Sequence, residues 1–108
     1  MSNFLDLYIS EDNTIQWGGL ADGITAAYIN DATVAFELQN LDGTVFESLT
    51  AQAMAYVAAS DGIYRGTIDN AKTALMTDGA LYYLEMTASG TVDAFRRLTC
   101  RAVYRGLT

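Results

Sequence analysis

The sequence predicts an all-β fold, a single antiparallel β-sandwich domain over residues 1–108 with about seven or eight strands. Three observations predict it. Asp-Gly pairs recur at Asp22-Gly23, Asp42-Gly43, Asp61-Gly62 and Asp78-Gly79, spaced by 20, 19 and 17 residues, and each is a turn signal, because Gly tolerates positive φ and Asp bonds its own following backbone. Between these turns, runs rich in β-branched and aromatic residues alternate with period two. Proline is absent, so nothing marks a linker or a second domain in a chain of ordinary single-domain length.

Taken in order, the expected strands are 4–9, 24–29, 33–39, 44–49, 53–58, 63–69, 80–87 and 94–104. The clearest hairpin is "ELQNLDGTVFES", where alternation through Thr33–Leu38 stops at Asn40-Leu41-Asp42-Gly43 and resumes at Val45 and Phe46. Residues 69–76 carry helix formers behind an Asp/Asn cap, so one short helical turn is expected near 70–76. The run "TAQAMAYVAAS" at 50–60 reads as strand or as helix, and periodicity does not decide between an open sandwich and a closed barrel.

Composition narrows the chemistry. The net charge of −7 argues against binding nucleic acid or an anionic membrane, which both need a cationic surface. One cysteine, Cys100, and no histidine exclude a disulfide framework, thiolate or imidazole metal sites and every His-dependent base. A calcium loop would need carboxylates at alternating positions round one tight turn, and neither "SEDN" at 10–13 nor the Asp-Gly pairs form one, so no metal and no cofactor are expected. The chain reads as non-enzymatic: its thirteen acids give no paired constellation, and Gly18-Gly19 is no phosphate loop. The start, with neither a basic n-region nor an apolar h-region, suggests a soluble protein made inside the cell.

Charge is segregated along the chain. Nine acids and no Lys or Arg lie between Met1 and Tyr64, and all six basic residues follow from Arg65 to Arg105. Two explanations weigh equally: late strands pair with early ones inside one monomer, or the two halves meet between copies. The last strand, "FRRLTCRAVYR", sharpens the choice. Period two sets Leu98, Cys100, Ala102 and Tyr104 on one face and Arg97, Thr99, Arg101 and Arg105 on the other. Those guanidinium groups either bond to Glu85 or Glu47 on neighbouring strands or, with Tyr83 and Glu85, offer an interface to an acidic partner.

The stretch "TDGALYYLEMT" resembles the corner before strand F of immunoglobulin-like sandwiches, with Leu75, Asp78, Gly79 and Tyr82 in comparable order. That resemblance implies a structural phenol at Tyr82, with Leu84 and Met86 inward and Tyr83, Glu85 and Thr87 outward. No second cysteine follows, as it would in an antibody domain.

In "DGIYRGTI" at 61–68, "LMTDGALYYLEMTASG" at 75–90 and "DAFRRLTCRAVYRG" at 93–106, the chain resembles small β-sandwich proteins of tailed bacteriophages and prophages. The resemblance implies a virion structural subunit, a head decoration, head-to-tail or tail accessory protein. Such a subunit is assembled in the host cytoplasm, and its partners are proteins in a homo-oligomer or larger virion assembly. The alternative is a carbohydrate- or receptor-binding module using Trp17, Tyr28, Tyr64 and Tyr83.

Overall fold

A computed structural model describes residues 5–90 and 93–105. It is all-β apart from one helical turn: β1 (Leu5–Tyr8), β2 (Asn13–Trp17), β3 (Thr33–Asn40), β4 (Gln52–Tyr56), β5 (Tyr64–Ile68), α1 (Asn70–Thr73), β6 (Leu81–Ser89) and β7 (Ala94–Val103). The hydrogen-bonded order is β1-β7-β6-β3-β4-β5-β2. Every neighbouring pair is antiparallel except β1 with β7, which run parallel with Leu5 opposite Cys100. That one pair departs from the wholly antiparallel sandwich the sequence suggests. Turn signals mark hairpins between consecutive strands, but they carry no information about a first strand that docks on the last.

β4 belongs to both flanks of the sheet. Its first half, Gln52–Met54, pairs with β3, and its second half, Ala55–Tyr56, pairs with β5. The sheet therefore turns over at β4 and encloses its own core, close to a barrel, between β7-β6-β3 on one side and β5-β2 on the other. Gly66 makes the close approach possible: a Cβ there would lie 2.9 Å from Phe36 Cε1 and 3.1 Å from Met54 Cγ.

Period two governs what the strands bury. Ile15 and Trp17, Val34, Phe36 and Leu38, Tyr82, Leu84, Met86 and Ala88, and Cys100 and Ala102 all point into the core. The Cys100 thiol is pushed up to about 12 by burial, so it packs as a small apolar group. Leu98 and Tyr104, which share this parity, are exposed, the latter beyond the end of β7. Residues 52–56 are strand, which settles the ambiguous 50–60 run.

Two expected strands are loops. At 24–29, Asp22 Oδ1 accepts the N–H groups of Ile24 (2.7 Å) and Thr25 (3.0 Å), a local turn that outcompetes a ladder. Residues 44–49 begin a return strand, with a lone bridge from Gln39 to Val45, but Glu47 and Ser48 adopt positive φ (48° and 63°) and break it. Phe46 and Leu49 still fill the core. The strand that pattern reading passes over is β2, whose Ile15 and Trp17 alternate with Thr14 and Gln16.

The Asp-Gly turns are geometrically demanding at Gly62. It has φ +67°, and a Cβ would meet Leu20 O at 2.4 Å while Leu20 N–H donates to Gly62 O at 2.9 Å. The helical turn α1 is capped by Asp69, whose carboxylate accepts Ala71 N–H.

Candidate functional site

β3, β6, β7 and β1 present one outward face in register, and it carries most of the residues singled out in the sequence. Arg97 stands opposite Glu85, Thr99 opposite Tyr83, and Arg101 is flanked by Leu81 and Asp6. Arg97 Nε lies 3.3 Å from Glu85 Oε2, and its guanidinium sits 3.8 Å above the Tyr83 ring. Arg101 reaches Asp6 at 3.4 Å. Arg105 holds Glu11 through Nε at 3.0 Å and lies 4.0 Å over the Tyr8 ring. Arg101 and Arg105 thus join the basic end of the chain to its acidic beginning within one molecule, and Arg97 closes on β6. All these groups are partly exposed, so each pair contributes a few tenths of a kcal/mol at most. An acidic partner docking on this stripe would first have to displace Glu85, Asp6 or Glu11.

The neighbouring row sets two carboxylates side by side. Glu37 on β3 is directly opposite Glu85 on β6, a like-charge pair that costs stability unless it is bridged. Gln39 bridges it: its Nε2 donates to Glu85 Oε1 at 2.8 Å and also to Glu37 Oε2. Thr50 Oγ1 donates to Glu37 Oε1 at 2.7 Å. The Gln39 amide, then the Thr50 hydroxyl, hold the Glu37 carboxyl below the usual carboxylate range. Beside them lies an open depression of about 210 Å³ bordered by Ala35, Glu37, Ala51, Glu85 and Thr87. Each carboxylate is visible in the sequence as an outward residue, but their adjacency depends on the β3–β6 register, which the sequence does not print.

At the opening of β6, Tyr82 Oη accepts the N–H of Thr77 at 3.1 Å, and its ring meets Phe46 edge-on with centroids 5.1 Å apart. Gly79, at φ +82°, donates its N–H to Ala102 O at 2.7 Å, tying the corner to β7. Asp78 lies in the turn itself, while Leu75 is 57% exposed and Met76 takes the buried place beside it. Other acids have local work. Asp42 accepts from Thr44, which holds its carboxyl below the ordinary range, and Asp12 accepts the Asn70 N–H at 2.7 Å.

No protein family, curated protein or solved structure matches the chain.

The four aromatic residues considered for sugar stacking are not brought together. Trp17 and Tyr64 face each other across β2 and β5 and are buried. The Tyr64 hydroxyl is committed to Ile29 O (2.7 Å) and Ala32 N–H (3.2 Å), and Tyr83 is covered by Arg97. Only Tyr28 is open to solvent. Several large apolar side chains are exposed, among them Tyr104, Phe95, Leu75, Leu41 and Tyr28, and Ile24 is the most exposed of them at 96%. Ile24 crowns a rigid turn in which Asp22 N–H donates to Ala27 O (2.8 Å) and Ala26 N–H to Asp22 O (2.9 Å). Reading 24–29 as a strand hid this knob, although the Asp22-Gly23 turn signal was its trace.

Proposed function

We propose that the protein is a non-enzymatic assembly subunit that works through repeated protein–protein contacts, a virion structural subunit of the tailed-phage or prophage type. The observation that carries this reading is the Ile24 turn. Ile24 stands 96% exposed on a hydrogen-bonded turn, and its burial against a protein surface would contribute about 2 kcal/mol of hydrophobic free energy. The order β7-β6-β3 facing β5-β2, with a helical turn before β6 and a bonded phenol near its start, supports the immunoglobulin-like resemblance on which the virion reading rests.

Sedimentation velocity across a concentration series, together with a glycan array, tests it. Concentration-dependent association that weakens in Ile24→Ser, without glycan binding, is the expected result. A strictly monomeric chain that binds a glycan would overturn the reading.

A further inference from the structure

The sheet ends at β1 and at β2, and neither outer edge is paired with another strand among the described residues. Open edges expose unpaired N–H and C=O groups, and monomers normally guard them with short strands, charges, proline or bulges. β1 is guarded. It is four residues long, carries Asp6 in an ion pair with Arg101, and has its last residue sealed by Asn13, whose side chain accepts from Tyr8 N–H (2.8 Å) and donates to Tyr8 O (2.9 Å).

β2 is also short, at five residues, but has neither charge nor seal on its edge. The strand Asn13-Thr14-Ile15-Gln16-Trp17 carries no charge and no proline, and it pairs with β5 in unbroken register. Ile15 and Trp17 point into the core, so Thr14 and Gln16 form the exposed row. The strand's two ends differ in charge. Asp12 and Asp69 flank the Asn13–Ile68 end, whereas Arg65 beside Gln16 (2.7 Å) and Arg96, 4.9 Å over Trp17, mark the other.

We propose that a second copy of this chain occupies this edge through an antiparallel β2–β2′ ladder centred on Ile15. That two-fold arrangement sets Thr14 opposite Gln16 of the other copy and brings the Asp12/Asp69 end against the Arg65/Arg96 end twice. It is a charge-matched approach for two molecules that each carry −7. A parallel pairing would oppose acid to acid. The inference rests on the assembly reading and names one of its contacts.

The test is charge exchange at the two solvent-facing positions, measured by sedimentation equilibrium on the full chain. Wild type is expected to dimerise. The Thr14→Lys/Gln16→Lys and Thr14→Glu/Gln16→Glu proteins, each of which sets like charges opposite each other, are expected to lose at least about tenfold in dimer affinity, and an equimolar mixture should restore a 1:1 dimer. Should either variant fail to fold, amide exchange on wild type serves instead: protection at 14–16 should rise with protein concentration. A dimer insensitive to both variants, or to concentration in the exchange experiment, overturns the edge contact and leaves the assembly reading standing. A wild type that stays monomeric throughout overturns it too, and binding of that monomer to a glycan would remove the assembly reading as well.

Discussion

On one side of β4 the sheet is long and laced with charge. β3, β6 and β7 pair along eight or more residues, Arg97, Glu85, Gln39 and Glu37 form a continuous polar row, and the outer edge is closed by Asp6 and Asn13. On the other side β5 and β2 are five residues each, their outward row is Thr14, Gln16, Arg65 and Thr67, and the edge is bare. Both flanks bury the same kind of core. Their difference lies in how they meet water: one outer edge carries an ion pair and a side-chain seal, and the other carries an uncharged row with no strand beside it among the described residues.

Breaking the seam between the flanks should have the largest effect. Phe36→Ala removes the ring that packs under Gly66 and is expected to cost about 3–5 kcal/mol in urea unfolding. Gly66→Val, which drives a side chain into Phe36 and Met54, should cost about 1–3 kcal/mol or more by the same measurement. Next comes Tyr82→Phe: it leaves the Thr77 N–H without its acceptor, and thermal unfolding should show a loss of about 1–2 kcal/mol. Asp69→Ala, which uncaps α1, is expected to cost about 1 kcal/mol.

The smallest effects belong to the charged flank. Asp6→Asn should change stability by less than about 1 kcal/mol and less still in high salt, because its ion pair with Arg101 is exposed. pH offers a finer probe. Glu37 has a folded-state carboxyl below its ordinary value of 4.5, so its contribution is fully present above that value and is lost as pH falls through the lowered one. Wild type should therefore lose more stability than Glu37→Gln on acidification below about pH 4.5; parallel pH profiles would show that the Gln39 and Thr50 hydrogen bonds do not favour the ionised form.

Much of the fold was legible because it depends on local rules. The Tyr82–Leu84–Met86 row, the Asp69 cap and the turn at Asn40–Thr44 follow from residues a few places apart. What the sequence hid depends on long-range pairing or on competition between local bonds. The Asp22 turn defeated a plausible strand at 24–29, and two left-handed residues at 47 and 48 cut short the one at 44–49. β2 has only two inward apolar residues, too few to stand out against the Gly-rich stretch that follows. For the site, the faces of Tyr83, Glu85, Arg97 and Arg101 could be read from period two, but their partners could not. The pairing of Arg101 with Asp6 spans 95 residues, and the pairing of Glu37 with Glu85 depends on register alone.

The parallel docking of β1 on β7 fixes an order of events during synthesis. Among the described strands β1 has its one hydrogen-bonded neighbour in β7, about ninety residues later in the chain, so β1 stays unpaired until residues 100–103 have been made. A chain stopped before β7 would leave open the edges of β1 and β6 that β7 covers in the folded protein.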